Sequence, residues 1–122
     1  MPLGRPSIIE SPPASLTDTE LTARLFRTLG DGTRLRIVEL LAADGELHQM
    51  EIVRRLGATQ ARVSEHMACL TWCGFVSARI EGRRTLYRVD DPDVLALVRL
   101  AKNFLERNEA QIGSCRVIDA GV

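Results

Sequence analysis

Hydrophobic positions recur every three or four residues along the first part of the chain, a spacing that predicts amphipathic helices. Thr17 and Glu20 have the spacing of a capping box, which predicts a helix start at residue 18. Gly30 then predicts its end, and Asp31 is suited to cap a second helix that ends near Asp44 and Gly45. The apolar positions of these two helices are Leu21, Leu25, Phe26 and Leu29, then Leu35, Ile37, Val38, Leu40 and Leu41.

Two further helices are predicted close together, separated by a short turn. The third runs from about Gln49 to Leu56, and Gly57 ends it. Thr59 is the predicted cap of a fourth helix, which begins at Gln60 and ends near residue 72 or 73, before Gly74. The core positions of these helices are Ile52, Val53 and Leu56, then Val63, Met67 and Leu70.

The period changes after residue 74. Residues 75–80 and 85–89 alternate as strands do, and residues 81–84 between them predict a hairpin turn with two arginines at its tip. Asp91-Pro92 then restarts a helix over about residues 93–108, with an apolar surface broader than one small domain covers. We therefore expect the first and last helices to form a dimer interface.

The predicted fold is mainly α with a small β-hairpin, in the order of four helices, two strands and a helix. This order defines a winged helix-turn-helix, whose second short helix enters the major groove of DNA. The predicted domain spans residues 17–108. A flexible arm over residues 1–16 precedes it, and a tail over residues 109–122 follows it.

The charge distribution supports the same interpretation. The formal net charge of the whole chain is zero, which does not favour a general nucleic-acid binder. Between Met50 and Arg88, however, there are seven arginines and three glutamates, so this part of the chain has an excess of four positive charges. A basic middle between acidic flanks suits a module that docks one face on phosphates.

The fourth helix and the hairpin supply the candidate contacts to DNA. Glutamine side chains suit adenine, arginine side chains suit guanine, and serine is permissive. Arginines at the tip of the wing would meet phosphates or the minor groove. The candidate DNA-binding residues are Thr59, Gln60, Arg62, Ser64, Glu65, Arg83 and Arg84.

The three cysteines are the candidate ligands of a metal ion. We expect no secretory signal and no membrane span, hence a cytoplasmic protein with reduced thiols. Cys69 and Cys73 are four residues apart on the fourth helix, so both thiolates can reach one ion, whereas a disulfide between them fits poorly. Cys115 in the tail is the candidate third ligand. Three thiolates favour Cd(II), Pb(II) or Hg(II) over tetrahedral Zn(II).

Two alternatives remain open for these side chains. Cys69 and Cys73 could be small buried hydrophobic residues, as free cysteines often are. His66, three residues before Cys69, could be a fourth ligand or could contact DNA or a neighbouring helix. We expect His48 to be a surface or capping residue, and Met50 and Trp72 to serve packing.

Three segments of the chain resemble the ArsR/SmtB family of metal-responsive repressors. They are residues 29–37, 56–67 and 81–87, and the resemblance covers about residues 20–106. It implies a homodimer that represses its own operon and releases operator DNA when a metal binds. The cysteine pair that many members place near the start of the third helix is missing, because His48 and Met50 occupy those positions.

The cysteine pattern is similar to one branch of that family, the cadmium/lead sensors of the CmtR type. That branch pairs two cysteines on the fourth helix with one in the C-terminal region, and the resemblance implies that the tail thiol comes from the other subunit. An actinobacterial mercury-responsive group is a second close resemblance.

Three other functions compete with a metal-released repressor. A redox or persulfide-responsive regulator would pair Cys115 with one helical cysteine. An enzyme is not expected, because no histidine lies where a base could be oriented and no nucleotide-binding glycine loop exists. A metal-buffering protein would leave the wing and the recognition helix without a role.

Overall fold

The computed structural model describes residues 2–3 and 15–119 of the chain. The chain divides into two compact units, residues 1–91 and residues 92–122, which are described separately below. The helices of the first unit are α1 (Asp18–Leu29), α2 (Gly32–Asp44), α3 (Gln49–Leu56) and α4 (Gln60–Trp72). Its strands are β1 (Pro2–Leu3), β2 (Leu47–His48), β3 (Ser77–Glu81) and β4 (Arg84–Arg88), and the second unit contains α5 (Pro92–Gly113) and α6 (Arg116–Asp119).

Side-chain caps begin three of the helices where the sequence predicts them. Thr17 Oγ1 accepts a hydrogen bond from the Glu20 backbone N–H at 3.1 Å, and Glu20 Oε2 accepts one from the Thr17 N–H at 2.6 Å. This reciprocal pair confirms the capping box of α1. The Asp31 carboxylate likewise accepts from the Arg34 N–H at 3.0 Å, a bond that lowers the pKa of Asp31.

The turn between α3 and α4 requires a glycine. Gly57 has a φ of 67° and a ψ of 23°, which is the left-handed conformation that ends α3. Thr59 then caps α4, since its Oγ1 accepts from the Arg62 N–H at 3.2 Å. These two residues fix the short connection of the helix-turn-helix.

We expect Gly57→Ala to lower the free energy of unfolding by about 1 kcal/mol, because an L residue is strained in the left-handed region. A Cβ at position 57 would meet no atom within 4 Å, so the cost lies in the backbone conformation. Gly32→Ala is the matched control, because Gly32 lies in the first turn of α2 and has similarly open space. Urea unfolding of both variants measures the difference, and equal midpoints would contradict this account.

The core of the first unit forms where α2, α3 and α4 meet the sheet. Its largest fully buried side chains are Ile37, Val38, Leu41, Ile52, Val63, Met67 and Leu70. Seven of the predicted core positions are therefore confirmed, whereas Leu35, Leu40, Val53 and Leu56 are only partly buried. Phe75, Val76, Ala78, Leu86 and Tyr87 complete the buried set from the loop and the hairpin.

The hairpin is shorter at its start than predicted. Phe75 and Val76 precede β3, and their N–H groups both bond the Leu70 carbonyl oxygen, at 2.9 and 3.3 Å. Gly74, with a φ of 88°, turns the chain back so that these bonds can form. The two residues therefore belong to the end of α4, and their burial comes from that cap.

The wing is a two-residue hairpin. Arg84 begins β4 opposite Glu81, so it lies in the strand, and Gly82 and Arg83 alone form the tip. Arg84 was predicted at the tip, and that placement is wrong by one residue. The sheet also contains two strands that the sequence pattern did not predict, in the order β1-β3-β4-β2. Each of those has two residues, which is too short for an alternating pattern to show.

The second unit is more helical than predicted. Helix α5 was expected to end near Asn108, and Asn108 does have a non-helical φ of −132°. Its Nδ2 donates to the Phe104 carbonyl at 3.0 Å, and the helix then resumes as far as Gly113. The expected irregular tail is therefore largely helical as far as Asp119, the last described residue.

Most of the predicted flexible arm, over residues 1–16, lies outside the described residues. Within residues 2–3 and 15–119, no helix combines the length and the hydropathy that crossing a membrane would require.

Candidate DNA interface and thiol site

The first half of α4 presents polar side chains to solvent. Gln60, Arg62, Ser64 and Glu65 are all exposed, while Val63 between them is buried. The predicted contact residues of this helix are therefore all accessible to solvent. Thr59 is exposed as well, but its hydroxyl oxygen already accepts the capping bond from the Arg62 N–H.

A surface concavity brings part of this helix together with the wing. Gln60, Arg83 and Arg84 line it, together with Arg54 from α3, and its volume is about 530 Å³. Glu51 also lines it and pairs with Arg54, so Arg83 and Arg84 provide the positive charge that docking on phosphates requires. Arg62, Ser64 and Glu65 lie on the exposed surface of α4 but do not line this concavity.

A hydrogen-bonded chain connects the wing, α3 and α4. The Tyr87 hydroxyl donates to Gln49 Oε1 at 3.1 Å, and Gln49 Nε2 donates to Ser64 Oγ at 2.5 Å. Tyr87 is 8% exposed, so the chain begins in the core and ends at a predicted DNA contact. Gln49 was not among the predicted site residues, and its polar position at a helix start was the only sequence signal for it.

His48 occupies the capping position of α3 without making a capping hydrogen bond. Its Nε2 lies 3.1 Å from Arg84 Nη1 and accepts from that group, because a guanidinium can only donate. Its Nδ1 is buried without a hydrogen-bond partner among the described residues. His48 thus occupies the capping position that was expected of it but is half-buried and does not cap the helix, and its contact with the wing was not predicted.

The two helical thiols lie at the opposite end of α4 from the candidate base contacts. Cys69 is half-buried and Cys73 is exposed, so neither is a core residue. The Cys73 N–H donates to the Cys69 carbonyl oxygen at 3.0 Å, which places the residues one helical turn apart. Side chains one helical turn apart lie on the same face, which gives these thiols the proximity that a shared ion needs.

The pKa of the Cys73 thiol is raised above its usual value, first by burial and then by the neighbouring Cys69. Arg34 and Arg24 act in the opposite direction. The neutral thiol is therefore the resting form of Cys73 near neutral pH. A metal ion binds the thiolate, so it must displace the proton of Cys73.

We expect the apparent affinity for Cd(II) to rise by about tenfold per pH unit for each displaced proton, and to keep rising until the pH passes the raised pKa of Cys73. The pKa of Cys73 is higher in the folded state than in the unfolded state. The contribution of this thiol to the free energy of unfolding is therefore fully present below the unfolded-state pKa, and it is lost as the pH rises through the folded-state pKa. Titration of thiolate-to-metal absorption across a pH series measures the affinity. An affinity independent of pH would contradict a protonated Cys73.

The predicted third ligand lies in the second unit. Cys115 is half-buried between α5 and α6, and its N–H donates to the Ile112 carbonyl at 3.3 Å. Over residues 2–3 and 15–119 of a single chain, no three histidine, cysteine or acidic side chains are grouped as a metal site. His66 is half-buried, and its Nδ1 lies 3.4 Å from Arg34 Nη1.

The order of elements, the wing and the exposed recognition helix define a DNA-binding winged helix-turn-helix regulator, which is not an enzyme fold. Residues 31–78 match the bacterial regulatory proteins of the arsR family. The chain is 42% identical, over 99 residues, to the probable mercury resistance operon repressor of Streptomyces lividans, covering 81% of this chain and 78% of that protein. The chain belongs to the ArsR family of transcriptional regulators.

Other similar proteins agree with this assignment. The transcriptional regulator CmtR of Mycobacterium tuberculosis is 44% identical over 69 residues, 57% of this chain and 58% of that protein. The crystal structure of Rv0081 from M. tuberculosis superposes with a TM-score of 0.74 at 28% identity, covering 82% of this chain and all of that one. The homodimeric winged helix-turn-helix domain of Mb0332 from Mycobacterium bovis superposes with a TM-score of 0.67 at 30% identity. The match covers 80% of this chain and 94% of that domain.

Proposed function

We propose that this regulator is a repressor that releases its operator when a soft metal ion binds Cys69 and Cys73. The observation that carries the proposal is the thiol pair itself, one turn apart on the helix that presents Gln60 and Arg62. An ion that draws both thiolates to a further ligand would tilt or clamp that helix. The contacts of α4 with DNA bases and the binding of the metal would then require different positions of the helix.

The metal is Cd(II), Pb(II) or Hg(II). Thiolates are soft ligands and select soft ions, and a pair of thiols with one further thiolate suits low coordination numbers. The relatives support this class of inducer, because they include a probable mercury resistance repressor and a homologue of a cadmium resistance regulator from Staphylococcus aureus. We propose Cys115 as the third ligand.

We propose that the protein acts as a homodimer. Leu21, Leu25 and Phe26 of α1 are exposed large hydrophobic residues, and so are Leu100 and Phe104 of α5. Apolar helical surfaces of this kind are typical of subunit interfaces. The domain of Mb0332 is itself described as homodimeric, which supports the same assembly for this chain.

The DNA contacts that we propose are Thr59, Gln60, Arg62, Ser64 and Glu65 in the major groove, with Arg83 and Arg84 on the backbone or in the minor groove. The exposure of these side chains and the shared basic concavity support this arrangement. The hydrogen bond from Gln49 leaves the hydroxyl hydrogen of Ser64 available to a base acceptor or a phosphate.

A metal panel tests the proposal. Operator binding by the reduced protein is measured by fluorescence anisotropy with Cd(II), Pb(II), Hg(II), Zn(II) or Mg(II). We expect the three soft ions to weaken binding at about one ion per subunit, and Mg(II) to have no effect. The proposal would be refuted if Mg(II) were the only ion that weakened operator binding. It would also be refuted if none of the three soft ions weakened it.

Cys115→Ser tests the third ligand separately. We expect the variant to bind the ion through the helical pair with an affinity lower by about 10-fold or more, and to need more metal for operator release. An unchanged release curve would remove Cys115 from the site without affecting Cys69 and Cys73.

A thiol-redox regulator is the second candidate, supported by the half-buried Cys115 and the accessible Cys73. Mass spectrometry after mild oxidation distinguishes the two. A defined disulfide of Cys115 that abolishes operator binding would favour redox sensing over metal sensing.

A further inference from the structure

The hydrogen-bonded chain from Tyr87 through Gln49 to Ser64 has a direction as well as a path. The Tyr87 hydroxyl donates to Gln49 Oε1 at 3.1 Å, and Gln49 Nε2 donates to Ser64 Oγ at 2.5 Å. The three residues belong to β4, α3 and α4. None of them lies on α1 or α5, so the dimer interface that we propose does not include them.

The buried end of the chain sets its direction. Tyr87 is buried, so the hydrogen of its hydroxyl group needs an acceptor within the protein, and Gln49 Oε1 is that acceptor. Burial also raises the pKa of Tyr87, which keeps this hydroxyl protonated near neutral pH. An amide has its acceptor oxygen on one side and its donor nitrogen on the other. When Oε1 of Gln49 faces Tyr87, Nε2 therefore faces Ser64.

The exposed end of the chain is the Ser64 hydroxyl. A serine hydroxyl can donate or accept, and an unconstrained one rotates to suit its partner. Here Oγ of Ser64 accepts from Gln49, and this bond leaves the hydroxyl hydrogen to be donated elsewhere. Because Ser64 is exposed in the first half of α4, that hydrogen can be donated to a DNA base.

The major groove distinguishes bases by their donors and acceptors. Guanine presents only acceptors there, N7 and O6, whereas cytosine presents the hydrogens of its N4 amino group. A hydroxyl hydrogen that faces guanine forms a hydrogen bond. One that faces the cytosine amino group meets another donor, and a donor that DNA covers without an acceptor lowers the affinity.

We propose that Gln49 determines specificity by making Ser64 a hydrogen-bond donor, so that the base facing Ser64 is one with an acceptor, such as guanine, and not cytosine. Gln49 is a positioning residue, because it acts through Ser64. The proposal rests on the proposed contact of Ser64 in the major groove, and it adds the class of base that this contact selects.

The test begins by locating the base pair that Ser64 reads. The full-length reduced protein, without metal, selects duplexes from a randomised library, and the bound duplexes are sequenced. The same selection with Ser64→Ala identifies the base pair whose preference depends on the hydroxyl. Two duplexes are then made that differ only by G·C or C·G at that pair. Fluorescence anisotropy gives the ratio of their affinities, in which general effects on DNA binding cancel.

Gln49→Glu should reverse the direction of the chain. A carboxylate only accepts, so Ser64 would donate to it and turn its lone pairs toward the DNA. We expect the wild type to prefer guanine by about fivefold, the contribution of one hydrogen bond, and Gln49→Glu to prefer cytosine. Tyr87→Phe removes the hydroxyl that orients the amide, so its ratio should be intermediate. Met50→Glu is the matched control for charge, because Met50 is exposed and lines the same concavity as Gln49, and its ratio should equal that of the wild type.

The outcomes separate this proposal from the contact on which it rests. A wild-type ratio in both Gln49→Glu and Tyr87→Phe would overturn the role of Gln49 and leave the Ser64 contact intact. A wild-type preference for cytosine would also overturn it. If Ser64→Ala weakens binding to every duplex equally, Ser64 contacts a phosphate, and both the base contact and its control by Gln49 fail. If the wild type selects no sequence, the proposed function fails as well. Circular dichroism confirms that each variant is folded.

Discussion

A Cys69→Ser, Cys73→Ser variant is expected to keep its operator affinity within about twofold and to lose its response to soft metal ions. A hydroxyl is a hard and neutral ligand, so two such replacements remove both thiolates that the ion would share. Loss of a supporting residue outside the ligand set alone costs about 10–100-fold in metal affinity, and loss of two ligands costs more. The thiolate-to-metal absorption should disappear together with operator release.

The retained affinity for the operator follows from the positions of the two thiols. They lie at the C-terminal end of α4, whereas Gln60 and Arg62 lie in its first turn. Ala68→Ser is the matched control, because position 68 is exposed on the same helix and keeps both thiols. A double serine variant that still releases the operator with Cd(II) would show that the metal site lies elsewhere.

The second large effect is expected at the wing. Arg83→Ala with Arg84→Ala should weaken operator binding by about 30-fold or more, because each arginine removed from a phosphate or a base edge costs about 1–3 kcal/mol and the two costs add. Each phosphate contact also contributes about one unit to the dependence of log affinity on log salt concentration. If both arginines contact phosphates, that slope should therefore decrease by about two.

The structure predicts a difference between the two arginines. Arg83 is at the hairpin tip, whereas Arg84 begins β4 with Nη1 3.1 Å from His48 Nε2. Binding isotherms of each single variant at several salt concentrations separate their contributions. Arg99→Ala on α5 is the control for a general loss of positive charge, and an equal effect of Arg99→Ala and Arg83→Ala would contradict a specific role of the wing.

The helices could be predicted from sequence because their signals are local. Thr17, Asp31 and Thr59 bond backbone groups three residues away, so each cap is visible as a short motif. The proximity of Cys69 and Cys73 is also local, since one helical turn separates them. Both the recognition helix and the candidate thiol pair follow from such spacings.

Contacts between distant segments could not be predicted in this way. Gln49 and Ser64 are 15 positions apart, Arg34 and His66 are 32 apart, and Gln49 and Tyr87 are 38 apart. Strand β2 has two residues and forms only because β4 offers backbone groups to Leu47 and His48.

The continuation of α5 past Asn108 was missed for another reason. Residues 109–113 contain one large apolar side chain, Ile112, so no amphipathic pattern marks them as a helix. Their helical backbone is interrupted at Asn108 and resumes afterwards. Helical placement of this segment brings Cys115 directly after a helix end, where the sequence predicted an irregular tail.

One titration tests the central claim, which is that metal binding at the thiol pair releases the operator. Cd(II) is added to the reduced protein on fluorescently labelled operator, and thiolate-to-metal absorption and anisotropy are recorded in the same sample. We predict that the two signals change together and reach their limits at the same ratio of ions to subunits. Saturation of the absorption with the anisotropy unchanged would contradict the claim and would indicate a protein that binds metal without regulating through it.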